Sequence, residues 1–551
     1  LDINEKSTKP IGFTNHPIPI LSEKDDSIIY EMHIRDFTID ESSGVINDLR
    51  GTYLGTVEEN TIYKNPYNGK CVKTGIEHLC ELGITHVHLM PIFDFGSVDE
   101  RFPGSNNRNW GYDPKNFNVP EGSYCSNPYN PVTRILELRQ MIMKFHERGI
   151  RVVMDMVYNH MMSTVNMDNI VPGYYFRSDY LGRYTNGSGC GNELASERPM
   201  VRKFIIDSCL HWIKDYKIDG IRFDLMELLD IDTTKEIVKK TTKLDKNFLI
   251  YGEPWKGGSS PLVNGTYKGS QKNENFSIFN DTFRDAIRGN NHPSSGFING
   301  NQYSSICNWS IIEGLKGSIY TITSNPNESI NYVDAHDNYT LWDQVEKSQN
   351  QSIKFGEFRF NIPDYPLNSN LVKQDLLGMA IIFTAQGIPF IQSGSEFLKT
   401  KQCDHNSYKS NDYINSIKWI DKERFIDVFK YNKGLIEIRK NLPHFKIKDP
   451  KIIKSNATFI FGGNNESCGV LLQHINLNDF GKGEVLVIYN GTNIENYNVT
   501  SYAPLAQNGY WNIIANESTA GMKVLNTIYN NQIPALRAFS IMILCSNLNL
   551  N

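Results

Sequence analysis

KIDGIRFDLMELL, residues 217–229, places a guanidinium and a carboxylate inside an apolar run. The run has strand character, and Arg222 and Asp224 lie two residues apart in it. On a strand that spacing puts both side chains on one face. A strand buries such a pair either as a structural ion pair or because it ends in a reaction centre.

Working outward, seven more short β-type runs recur along the chain. They are SIIYEMHI (27–34), ITHVHLM (84–90), IRVVMDMV (150–157), NFLIYGE (247–253), SIFND (277–281), INYVDA (330–335) and IPFIQSG (388–394). Stretches of helical period separate them, such as RILELRQMIMKFHERG (134–149) and RKFIIDSCLHWIKDY (202–216). Eight strands alternating with helices predict an α/β fold, a (β/α)8 TIM barrel; a doubly wound sheet is the competing layout. The loops after strands two and three, roughly 91–132 and 158–198, are long and rich in Gly, Asn, Tyr and Pro, which marks them as functional. After Pro443 the pattern changes to short strands broken by Asn-Gly and Gly signals, which predicts a C-terminal all-β sandwich. The expected division is 1–27 as a linker or the tail of an absent module, 28–444 as the barrel and 445–551 as the sandwich.

Bulk composition narrows the function. The 551 residues carry a net charge of -5, so no basic field holds a polyanion and nucleic acid is excluded as a partner. No run of 18 apolar residues exists, so no membrane span is expected. The nine cysteines are odd in number and contain no CxxC pair, against a disulfide framework or zinc. They lean toward a reducing, cytoplasmic compartment, with an extracellular one open if a signal was removed. The first residues, LDINEKSTKP, are polar, unlike a signal peptide, and lack an initiator Met, as in a trimmed piece. A monomer is expected.

Acidic residues gather at the predicted strand ends: Asp155, Asp224, Glu253 and Asp337, with His160 and His336 nearby. Barrel active sites occupy that end. Paired carboxylates flanking a glycosidic bond are what sugar hydrolysis requires, one as nucleophile and one as proton donor. Arg222 can keep Asp224 ionised, and Trp255 can wall Glu253 and raise its pKa.

The motifs MDMVYNH (154–160), GIRFDLM (220–226), YGEPW (251–255) and VDAHDN (333–338) resemble the four signature regions of the alpha-amylase superfamily, glycoside hydrolase family 13. NWGYDP (109–114), PEGSY (120–124), YEMHIRDFT (30–38) and KTKQCDHNSYKSNDYINSIKW (399–419) resemble the type I pullulanases within it, which hydrolyse α-1,6 branch linkages. The resemblance covers about residues 28–551. It implies Asp224 as nucleophile, Glu253 as general acid/base and Asp337 as transition-state stabiliser. It implies Asp155, His160, Arg222 and His336 around the −1 sugar, Tyr112 stacked on that sugar and Trp255 on the leaving side. Asn338 would touch the +1 or +2 sugar, and Asp404 and Tyr408 the −2 side. Such relatives carry a carbohydrate-binding module before the barrel, where this chain has only the segment 1–27. Ala335 stands where the family has serine or valine.

No cofactor is required by this reading. A structural calcium stays open because Asn159 follows a position that ligates calcium in many amylases. His86 and His88 share a strand face but read as packed barrel histidines rather than a metal pair. Cys190, in NGSGCGN, reads as a loop thiol. The expected substrate is an α-glucan oligosaccharide or polysaccharide such as pullulan, a limit dextrin or a glycogen-like chain. The rivals are an α-1,4 amylase, neopullulanase or glucan transferase on the same scaffold, and a non-catalytic α-glucan-binding protein.

Overall fold

The computed structural model describes residues 2–548 except 103, 105–106, 292–293, 355 and 358–361. All eight expected strands form and close into one parallel barrel. They are β1 (Ile29–Met32), β2 (His86–Leu89), β3 (Arg151–Met156), β4 (Gly220–Phe223), β5 (Leu249–Gly252), β6 (Ser277–Phe279), β7 (Ser329–Asn331) and β8 (Ile388–Gln392). Each strand pairs in parallel with its sequence neighbours, and β8 closes on β1. The two predicted helices form over Pro131–Glu147 and Pro199–Tyr216, each with proline in its first turn, where no N–H is needed.

Strand parity separates the floor of the barrel from its mouth. Ile29, Val153, Leu249, Tyr251, Phe279, Ile330 and Phe390 pack as one apolar plug inside the ring. Two residues further along the same faces come Glu31 on β1 and Asp155 on β3, and Glu253 follows Tyr251 just past β5. The plug separates the charged groups of the C-terminal rim from those at the base, where Arg151 pairs with Asp219. The layer between strands and helices is a second, larger core that includes Trp212, Trp342 and Trp419.

The long loop after β2 folds into an antiparallel pair, Phe93–Phe95 with Pro114–Pro120, which carries Trp110 and Tyr112 toward the barrel axis. The loop after β3 is pinned by the bridges Phe176↔Leu194 and Ser178↔Tyr184.

The C-terminal domain is all-β as expected, with one sheet instead of two hydrogen-bonded layers. Strands β9 (Ala457–Phe461), β10 (Val470–Asn476), β11 (Glu484–Asn490), β12 (Tyr510–Ala515), β13 (Asn526–Tyr529) and β14 (Ser540–Ser546) run antiparallel in the order β9-β10-β11-β14-β12-β13. One face joins the core shared with the barrel helices. The other is covered by loops, through Val499, Ala506, Ile533 and Leu536. Those loops supply enough apolar side chains to seal the sheet without a second ladder.

Residues 2–27, of the segment read as a linker or the tail of an absent module, lie against the base of the barrel. Arg139 is 1% exposed and donates to the carbonyls of Ile3 (3.0 Å) and Thr8 (2.9 Å) and to the Thr8 hydroxyl (2.9 Å). Asn247 Nδ2 donates to Leu21 O at 2.6 Å. Phe13 is buried under the Arg139 guanidinium, 5.3 Å from its ring centre. No helix among the described residues is long and apolar enough to cross a membrane.

Candidate active site

Arg222 is the hub of the barrel mouth. The β3–β4 register sets Asp155 opposite it, and Nη1 donates to Asp155 Oδ1 at 2.9 Å and to Asp224 Oδ1 at 2.9 Å. Nη2 reaches Glu253 Oε1 at 2.7 Å. One planar fork thus holds carboxylates from three strand ends. Asp224 Oδ2 accepts from Asn159 Nδ2 at 2.8 Å, and Glu253 Oε2 from the Leu225 N–H at 2.9 Å. Leu225 adopts a left-handed φ of 41° to aim that N–H, strain stored beside the acid pair. Gly252 precedes Glu253 because a Cβ there would meet Phe223 O at 2.6 Å.

Burial pushes both Asp224 and Glu253 above the ordinary carboxylate range, against the pull of Arg222. For Glu253 the charges of Asp224 and Asp337 add to the push, to about 8. Arg222, expected to keep Asp224 ionised, pulls its pKa down, and desolvation pushes it up by more. The two acids share one guanidinium and titrate as a pair.

The remaining expected residues surround this pair. Tyr112 donates to Asp155 Oδ2 at 2.7 Å and stacks on His336, rings 5.0 Å apart and 21° from parallel. His336 donates from Nδ1 to Glu31 Oε1 at 2.7 Å, and Glu31 Oε2 accepts its backbone N–H at 2.7 Å. Burial alone would lower His336, but the Asp337 and Glu31 carboxylates hold it up, to about 9, so it faces the cleft as an imidazolium. His160 lies the other way: burial takes it down to about 4 and leaves it neutral. Asp337 is the outlier in exposure, its side chain 50% accessible, with His336 Nε2 at 3.5 Å.

Two cavities meet at Glu253, Trp255, His336 and Asp337. The larger, 580 Å³, is lined by Tyr112, His160, Asp224 and Tyr408. The smaller, 290 Å³, runs past Arg222, Arg284 and Asn338. Trp255 borders both, beside Glu253. Asp404 does not line either cavity: its oxygens accept from the Asn406 N–H and the Ser410 hydroxyl, within its own turn, and Asn406 takes the wall position. Residues not anticipated are Glu31 under His336, Asn159 on Asp224 and Trp110 in the cleft wall. His88, read as a packed barrel histidine, donates to Asp155 at 3.1 Å, which gives it a place behind the site.

Among the described residues one acidic cluster has metal-like spacing, Asp94, Glu100 and Glu121. Its oxygens already have protein donors: Arg134 on Glu100, Asn116 on Asp94, and the N–H groups of Phe95 and Ser123 on Glu121. The Arg134 guanidinium supplies the positive charge there, and the group does not fit a calcium cage. Asn159, engaged with Asp224, does not fit one either.

A closed barrel whose strand-end acids share one guanidinium is the architecture of the alpha-amylase class. A family model for the alpha amylase catalytic domain matches residues 70–170. The pullulanase of Bacillus subtilis (strain 168) is 40% identical over 455 residues, covering 80% of this chain and 59% of that protein. The solved pullulanase of Paenibacillus barengoltzii in complex with maltohexaose and α-cyclodextrin superposes with a TM-score of 0.84 at 34% identity, covering 99% of this chain and 80% of that one. The type I pullulanase of B. subtilis str. 168 complexed with maltose has a TM-score of 0.84 at 34% identity, with coverage of 96% and 71%. This chain belongs to the pullulanase family. It spans 59% of the length of the curated B. subtilis relative.

Proposed function

We propose that the protein is a retaining α-1,6-glucosidase that removes branches from pullulan, limit dextrins and related α-glucans. The observation that carries this is Arg222 holding Asp224 at 2.9 Å and Glu253 at 2.7 Å on its two terminal nitrogens. A single fork supports the close carboxyl spacing of ~5–5.5 Å that goes with a covalent intermediate, rather than the wider gap that admits a water. Asp224 attacks the anomeric carbon while the proton on Glu253 passes to the leaving O6. Glu253, now ionised, takes a proton from water, which hydrolyses the glucosyl ester and frees Asp224. Asp337 and the His336 imidazolium hydrogen-bond the sugar hydroxyls as positive charge grows on the ring. Tyr112 offers its ring face to the −1 sugar, Asp155 and His160 its hydroxyl partners, and Trp255 and Asn338 the leaving-side contacts. Tyr408 borders the −2 side; Asp404 supports its loop.

The test is digestion of pullulan. Maltotriose as the product supports α-1,6 cleavage, and panose-type products would establish the α-1,4 amylase or transferase reading instead. An inert but saccharide-binding protein would favour the non-catalytic one, which the intact set of acids opposes. The reading includes a monomer in a reducing compartment. Nine free cysteines, with Cys125, Cys209, Cys307 and Cys545 buried, support the compartment.

A further inference from the structure

Asp337 is the least tethered of the three acids. Half its side chain is accessible, and among the described residues its carboxylate has His336 Nε2 at 3.5 Å. Among the described residues it is the backbone of this turn that aims it, and the next residue, Asn338, is held at a left-handed φ of 62°. The constraint on that turn comes from the loop after β8. Lys401 is 1% exposed, and its Nζ donates to the carbonyl of His336, the residue before Asp337, at 2.7 Å. The ammonium also lies 5.8 Å from the centre of the Trp110 ring, and the whole side chain is buried.

The position of Lys401 is itself fixed. Asp343, buried in the first turn of the helix Leu341–Gln349, accepts the Lys401 N–H at 2.9 Å and the Cys403 N–H at 3.3 Å on Oδ2, and the Thr400 hydroxyl on Oδ1. Thr340 caps that helix by accepting the Asp343 N–H at 3.1 Å. The segment from His336 to Asp343 is thus clamped at both ends by one short piece of the β8 loop. Lys401 lines neither cavity and touches no reacting atom.

We propose that Lys401 is a positioning residue for Asp337: its ammonium fixes the His336 carbonyl and so aims the stabilising carboxylate at the −1 sugar. This rests on the α-1,6-glucosidase reading, which the wild type's own turnover of pullulan decides separately. The variant-to-wild-type ratios decide the role of Lys401.

Lys401→Met keeps the stem beside Trp110 and removes the donor. A misplacement on the order of 1 Å predicts a kcat about 10²-fold lower. KM and the maltotriose dissociation constant stay within about threefold, since ground-state contacts remain. On an Asp337→Ala background, assayed with an activated aryl α-maltotrioside, adding Lys401→Met changes kcat by less than about twofold, because the group it aims is gone. Should the Met variant not fold, Lys401→Gln, whose amide is too short to reach the carbonyl, is read in the same way. Unchanged kcat in a folded variant overturns the proposal. So does a loss repeated in full on the Asp337→Ala background, or a kcat loss matched by weakened maltotriose binding, which marks a merely structural lysine.

Discussion

At the scale of single residues, Glu253 is a carboxyl kept protonated by burial at a pH where carboxyls are ordinarily ionised. Its proton must be present for the leaving oxygen to depart, so kcat/KM should fall as pH rises through its pKa, near 8. In kcat/KM, which reports the glycosylation step, Glu253→Gln should lose ~10²–10⁴-fold on pullulan and far less on an activated glycosyl fluoride, and the alkaline limb should disappear with it. An unchanged limb in that variant would assign the proton elsewhere. Stability carries the same signature. Between the unfolded value near 4.3 and the folded value near 8, the folded chain binds a proton that the unfolded chain does not. Stability from this group therefore declines as pH rises across that window. The melting temperature of Glu253→Gln relative to wild type should shift in the variant's favour from pH 5 to pH 8; a difference flat in pH contradicts the burial argument.

Arg222 and Asp224 were legible from residue spacing because strand parity is strict: i and i+2 share a face. Glu31 was not, although it stands in YEMHIRDFT, since a lone acid in an apolar run has no pattern that marks its partner, His336, 305 residues away. Asn159 and Lys401 sit in loops, where no periodicity records direction.

At the scale of elements, the catalytic spacing depends on how closely the ends of β4 and β5 approach. Gly252 faces Phe223 O, a backbone atom that cannot swing aside. Gly252→Ala should push Glu253 off the Arg222 fork and lower kcat on the order of 10²-fold while the fold survives. Normal turnover in that variant, checked by steady-state kinetics and circular dichroism, would show that the fork tolerates a shifted β5. The same scale explains why the strands were readable and the second layer of the C-terminal domain was not. Alternation along β10, β11 and β14 announces a sheet with two buried faces, but does not say whether a sheet or loops cover the outer one. Here Val499, Ile533 and Leu536 do so from irregular backbone. The strand Asn526–Tyr529 escaped notice because it is short and mostly exposed.

At the scale of the whole molecule, the segment 2–27 belongs to the barrel's base. It reads like a linker because its contacts are made by scattered side chains such as Thr8, Phe13 and His16 and by main-chain carbonyls, with no periodic pattern. Deleting residues 1–27 would strip three hydrogen bonds from the buried Arg139 guanidinium. Bonds to charged groups are worth ~1.5–3 kcal/mol each, so the loss amounts to several kcal/mol. Differential scanning calorimetry should show a clear drop in melting temperature, with pullulan KM little changed because the strap is at the opposite end from the cleft. An unaltered melting temperature would mean that the strap does not stabilise the barrel.

The central claim is that Asp224 forms a glucosyl ester within reach of Glu253. Glu253→Gln incubated with an α-maltotriosyl fluoride should load the enzyme, since fluoride leaves without a proton, and then stall for want of a base. Mass spectrometry of its proteolytic peptides should find one maltotriosyl increment on the peptide bearing Asp224. The same increment on another residue, or turnover of the fluoride with no adduct and inverted product, would contradict the account.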